Sequence, residues 1–139
     1  MTEEQHTNTK VIIVDDNATF REGMVFFLEN VLNFEVIDVA SDGEEFLKNQ
    51  RTKNADIILM DIEMPKLNGI ETIKQYMWNV KECKAIAVTN YEEKAYLTEL
   101  IGAGFKGCVF KKNIYDELEN AIKTVLNNRI YYPKNIRIS

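Results

Sequence analysis

Asp15-Asp16, Asp61, Thr89 and Lys111 each stand directly behind a short apolar run: Val11 to Val14, Ile57 to Met60, Ala85 to Val88, and Val109-Phe110. If those runs are parallel strands of one sheet, every stop falls on one edge, because parallel strands share a direction and ligands collect outside their carboxyl ends. Three carboxylates gathered there repel one another, and without a cation at least one must hold its proton more tightly than usual. Mg2+ suits the set because it is hard and takes oxygen ligands, using one or two carboxylates plus waters and a phosphate. The expected ligands are Asp16 and Asp61, with Asp15 acting through water. A carboxylate is also a nucleophile toward phosphorus, in chemistry governed mostly by positioning and charge neutralisation. Asp61 is the expected acceptor. Lys111 would pair with it and then with a phosphoryl oxygen, while the Thr89 hydroxyl bonds a second.

Singly these residues carry little weight. Asp-Asp after a strand is commonly a turn and helix cap, and a threonine or lysine at a strand end usually faces solvent. Their weight comes from recurring at four strand ends.

The elements that must position them follow from periodicity. Phe20, Met24, Phe27, Leu28 and Val31 form the stripe of an amphipathic helix from about Asn17 to Leu32. Phe34 to Ala40 reads as a second strand, and Ser41-Asp42-Gly43 opens a short helix carrying Phe46 and Leu47. Ile57 to Met60 is apolar at every residue, as a central strand covered on both faces should be. Pro65 and Gly69 bracket a loop before a helix marked by Ile70, Ile73 and Met77, with Trp78 expected as a packing residue. Ala95, Leu97, Leu100 and Ile101 mark the next helix, with Gly102 and Gly104 as its expected breakers. Asn113 is placed to cap the last, with Asp116 three residues on and Ile114, Leu118, Ala121, Ile122 and Val125 as its apolar face. Five strand-helix repeats predict an α/β fold with a parallel sheet and helices on both faces. For Asp15, Asp16 and Asp61 to meet, the first and third strands must be neighbours, which selects a flavodoxin-like doubly wound (βα)5 sheet of order 2-1-3-4-5.

Composition bounds the function. The chain has 139 residues, enough for one domain of ordinary size. With 45% hydrophobic and 28% charged residues, neither disorder nor a membrane is favoured. A net charge of −5 argues against a nucleic-acid grip within this segment. Cys83 and Cys108 lack zinc-ligand spacing and read as reduced core thiols, and the single histidine, His6, lies in a polar stretch with no secretory pattern. A cytoplasmic protein is expected. Residues 1–9 read as a disordered N-terminal segment, 10–128 as the domain, and 129–139 as a tail or the start of a linker.

Ile12-Ile-Val-Asp-Asp-Asn17, Asp61-Ile-Glu-Met-Pro65 followed by Asn68-Gly-Ile-Glu71, then Thr89 and Lys111 together resemble the receiver domain of bacterial two-component response regulators. Gly107-Cys-Val-Phe-Lys-Lys112 and Asn128-Arg-Ile-Tyr-Tyr-Pro133 look like its NarL/FixJ (LuxR-type) subfamily. The resemblance implies phosphorylation of Asp61 by a histidine kinase or phosphotransfer protein. It implies Mg2+ held by Asp16, Asp61 and the backbone carbonyl of Glu63, and a conformational switch that includes Thr89 and the position of Cys108. It also implies contact with DNA only through a C-terminal helix-turn-helix outside this chain. A homodimer is compatible with it. The domain would be a phosphoacceptor, not an enzyme acting on outside substrates.

Three positions depart from the family pattern. Cys108 stands where an aromatic switch partner of Thr89 is common, although Phe110 shares its strand face by period two. Lys112 replaces a frequent proline. Asn90, larger than the usual residue after the threonine, is expected with Glu63 to narrow access and slow phosphate exchange. An alternative is therefore a degenerate or stand-alone receiver serving as a protein-interaction module without switching.

Overall fold

The computed structural model describes residues 9–134 and realises the predicted alternation as five parallel strands, each followed by a helix. They are β1 (Lys10–Val14), α1 (Ala18–Phe26), β2 (Glu35–Ala40), α2 (Gly43–Lys48), β3 (Ile57–Asp61), α3 (Gly69–Tyr76), β4 (Ala85–Thr89), α4 (Lys94–Ala103), β5 (Gly107–Phe110) and α5 (Ile114–Leu126). The sheet order is β2-β1-β3-β4-β5, the flavodoxin-like arrangement expected. Every residue of β3 is buried, which is why its sequence shows no polar alternation. The N-terminal stretch containing His6 lies outside the described residues, as does the tail from residue 135.

Two apolar layers sandwich the sheet. Ile12, Val14, Ile58, Met60, Cys108 and Phe110 pack with Phe46, Ile70, Ile73, Leu97 and Leu100 of α2, α3 and α4. Val11, Ile13, Ile57, Leu59 and Val109 pack with Met24 and Leu28 and with the Ile114, Leu118, Ala121, Ile122 and Val125 stripe of α5. Alternation along each strand thus assigns successive side chains to opposite layers. The same alternation decides which layer each strand-end residue borders.

Local chemistry starts most of the helices. The Asn17 side chain accepts the Phe20 amide, Asp42 that of Glu45, and Asn68 that of Glu71. The first helix continues beyond Phe26 as one wider turn, Phe27–Val31, closed by the Leu32 amide on the Phe27 carbonyl at 3.1 Å. Gly104 ends α4 in the left-handed region at φ 120°, whereas Gly102 lies inside the helix and breaks nothing.

Three further expectations are corrected. Asn113 does not cap α5: Lys111–Asn113 forms a tight helical turn running into it, and the buried Asn113 Nδ2 has no hydrogen-bond partner among the described residues. Trp78 is 78% exposed, because it follows the end of α3 and turns away from both layers. Tyr131, expected in the tail, is buried: it bridges Gly107 in parallel, its amide donates to the Lys106 carbonyl (3.0 Å), and its own carbonyl accepts the Cys108 amide (3.2 Å). Tyr131 thereby ties the segment after α5 to the edge of β5 through a single bridge. Its hydroxyl donates to the buried Glu117 carboxylate at 2.6 Å, which also accepts the Lys134 amide at 3.3 Å.

Removing that hydroxyl leaves a buried acceptor short of a donor. Tyr131→Phe is expected to lower stability by about 1–3 kcal/mol, read as a lower urea midpoint. Tyr132→Phe, at an exposed ring, should stay within about 0.5 kcal/mol of the parent.

Candidate functional site

Strand register assembles the site. Val14 pairs with Met60, so Asp15 and Asp61 are the next residues on adjacent strands. Asp61 pairs with Val88 and Thr89 with Phe110, which brings Thr89 and Lys111 to the same edge. By alternation Asp15, Asp61 and Lys111 border the α1/α5 layer, whereas Thr89 shares the layer of Cys108 and Phe110.

Carboxylate oxygens of Asp15, Asp16 and Asp61 all lie within 4.8 Å of one another. Asp15 and Asp61 are 1% and 3% exposed, while Asp16 opens to solvent. Lys111 Nζ sits 3.1 Å from Asp15 Oδ2 and 3.6 Å from Asp61 Oδ2. The expected Lys111–Asp61 pair is thus present, but the lysine is divided and leans toward Asp15. The loop after β1 is fixed by the Asn17 amide on Asp15 Oδ1 (2.8 Å) and the Arg21 guanidinium on the Asp15 carbonyl (2.7 Å). The Glu63 amide donates to Asp61 Oδ1 at 3.2 Å. Gly69 opens α3 so close to β3 that a Cβ there would lie 2.5 Å from the Asp61 carbonyl oxygen.

Burial pushes the Asp61 carboxyl up to about 7, reinforced by Asp15 and, more weakly, Asp16, and opposed by Lys111 and the Glu63 amide. The Asp15 Oδ2 atom is buried and, among the described residues, accepts no well-aligned hydrogen bond. A crowded, under-compensated, all-oxygen donor set fits a hard dication of the Mg2+ kind better than a zinc ion. Such a cluster can bind the ion and present a carboxylate beside a cation to an electrophile.

The remaining expected residues fall around this cluster. The Thr89 hydroxyl oxygen accepts the Tyr91 amide at 3.0 Å, and its own proton is left to donate. The Glu63 side chain stands exposed, accepting from Asn90 Nδ2 at 3.5 Å, and its carboxylate makes the Tyr91 hydroxyl hold its proton more tightly than usual. Glu63, Asn90 and Tyr91 thus form a polar rim. Cys108 is buried beside Phe110 in the other layer, and burial raises its thiol to about 12, the range of an inert core residue. Sequence reasoning counted Phe20 only as a helix-stripe residue and did not single out Arg21 or Tyr91. A first-turn helix position just after the Asp-Asp pair is the signal that places Phe20 and Arg21 at the mouth.

Between pH 3.8 and about 7 the folded chain keeps on Asp61 a proton that the unfolded chain releases. This group's contribution to stability therefore falls as pH rises through that window. In chelator-containing buffer, Asp61→Asn is expected to be more stable than the parent above pH 7 by about 1–2 kcal/mol, allowing for screening at the open mouth. The difference should vanish near about pH 4. Urea titrations across the range check both.

Comparison with known proteins agrees with this geometry. Residues 11–123 match the family model for the response regulator receiver domain. The transcriptional regulatory protein DegU of Brevibacillus brevis is 32% identical over 126 residues, covering 90% of this chain and 53% of that protein. The chain spans between 53% and 60% of the length of the curated relatives it matches. Among solved structures, a LuxR-family two-component response regulator from Aurantimonas superposes with a TM-score of 0.83 at 27% identity, covering 89% of each chain. The Borrelia burgdorferi CheX-CheY-BeF3-Mg2+ complex matches with a TM-score of 0.78 at 25% identity, covering 84% of this chain and 88% of that one. The chain belongs to the receiver-domain family of two-component response regulators, a signalling domain rather than a classical enzyme, and its relatives are regulators of the NarL/FixJ (LuxR) type.

Proposed function

We propose that Asp61 accepts a phosphoryl group from a partner histidine kinase or phosphotransfer protein, and that the resulting change in the α4-β5-α5 surface controls an output. The observation that carries this is Lys111 divided between Asp15 and Asp61, beside an acceptor carboxylate whose charge burial opposes. Mg2+, held by Asp16, Asp61 and the backbone carbonyl of Glu63 with Asp15 through water, would favour the ionised form of Asp61 and neutralise the incoming phosphoryl oxygens. An Asp61 oxygen forms the new O–P bond as the P–N bond to a donor imidazole breaks. Lys111 then leaves Asp61 for a phosphoryl oxygen, and Thr89 donates its hydroxyl proton to another. Thr89 borders the layer of Cys108 and Phe110, so its movement is felt across the sheet from the acceptor. In relatives such as DegU the output is transcriptional regulation, and here it would run through a DNA-binding domain outside the chain.

The buried Cys108, in place of an aromatic switch residue, favours a second reading. In it the domain is an interaction module that keeps the fold without switching.

Mass spectrometry after incubation with acetyl phosphate and Mg2+ is expected to show one added phosphoryl group, absent in Asp61→Asn. An unmodified wild-type chain would overturn the phosphoacceptor reading in favour of the second one.

The Glu63-Asn90-Tyr91 rim should slow water's approach to the acyl phosphate. Chasing phosphorylated protein with excess Mg2+ is expected to show slow loss in the parent and severalfold faster loss in Asn90→Gly. Equal rates in the two would remove the rim from the account.

A further inference from the structure

We propose that Phe20 is a positioning residue for Lys111, its ring face holding the ammonium at the mouth of the Asp61 site when the carboxylates no longer can. The proposal rests on the phosphoacceptor reading of that site and adds to it a residue outside the charged set.

Lys111 Nζ lies 4.6 Å from the centroid of the Phe20 ring, within the ~6 Å range over which an aromatic face attracts a cation. The lysine side chain is 20% exposed, so the contact is partly desolvated and not diluted as it would be on an open surface. The ring is held in place. The Phe20 amide donates to the Asn17 side chain at 3.0 Å, the Asn17 amide donates to Asp15 Oδ1, and Arg21 donates to the Asp15 carbonyl. The half-buried ring also packs against the α1/α5 layer. Phe20 and the acidic loop are therefore one unit, and the ring cannot drift from the carboxylates it accompanies.

Among the described residues, three groups face the ammonium: Asp15, Asp61 and the ring. The pull of the two carboxylates weakens once a bound dication shares their charge, because the net field at Nζ then falls. The ring quadrupole is a fixed property of a neutral group and does not change with loading. A lysine carries its charge on a flexible four-carbon stem, so without the ring the loaded site would release Nζ to water before a phosphoryl oxygen arrives. With it, Nζ stays within reach of Asp61.

The test uses the full chain with Mg2+ and three versions of position 20: Phe20→Leu, Phe20→Trp, and pentafluorophenylalanine, which keeps the ring shape but reverses the charge of its face. One readout is 13C relaxation of the Lys111 ε-methylene; the other is half-saturation by beryllofluoride. The leucine and pentafluoro proteins are expected to show a more mobile ε-methylene and an about threefold to tenfold weaker half-saturation, with tryptophan close to the parent. A pentafluoro protein that behaves as the parent would overturn the proposal, since shape alone would then suffice, as would an unchanged Phe20→Leu. If the parent takes up neither beryllofluoride nor phosphoryl, the reading of Asp61 fails, while the relaxation measurement still decides for or against Phe20.

Discussion

The structure depends on a repulsion that one lysine only partly offsets. In-register parallel pairing of β1 with β3 sets Asp15 beside Asp61, and burial of both removes the water that would screen them. A single ammonium divided between them at 3.1 and 3.6 Å compensates incompletely, which is why the Asp61 proton is retained to about 7. Such a site stores an electrostatic preference for added positive charge. In the proposed reaction that preference is satisfied by the cation and then redirected by the phosphoryl group, with Lys111 changing partners.

The alternation of a pleated strand separates the ends of this process. Asp15, Asp61 and Lys111 border the α1/α5 layer, and Thr89, Cys108 and Phe110 the α2/α3/α4 layer. Cys108 is small and closely surrounded, so a hydroxyl moving toward the phosphoryl group would be followed by repacking around Phe110 rather than by the swing of an exposed ring. The Cys108 amide also donates to the Tyr131 carbonyl, so β5 is tied directly to the segment that follows α5.

Much of this was legible in the sequence, for a specific reason: a buried parallel strand must be apolar throughout, so its carboxyl end shows as an abrupt polar stop. Those stops located Asp15, Asp16, Asp61, Thr89 and Lys111, and the need for Asp15 and Asp61 to meet implied the strand order. What escaped was whatever depends on direction in three dimensions. Periodicity placed Phe20 on a helix stripe but could not show that its face meets Lys111. Tyr131 follows a helix end in a polar stretch, and nothing local reveals that Gly107 leaves room beside β5 for its backbone. Asn113 has the composition of a cap, but the tight turn before α5 gives it a different backbone. Trp78 is apolar enough for a core, yet it follows the end of α3 and lies in neither layer.

The claim that joins site to output is that neutralising the Asp61 cluster reorganises the opposite layer. NMR titration of the 15N-labelled protein with beryllofluoride and Mg2+ tests it most directly. The account predicts saturable shifts that require Mg2+, begin around Asp61 and Thr89, and extend to Cys108, Phe110 and Tyr131, all absent in Asp61→Asn. Saturable shifts confined to the neighbours of Asp16 and Asp61, with Cys108 and Phe110 unmoved, would contradict it.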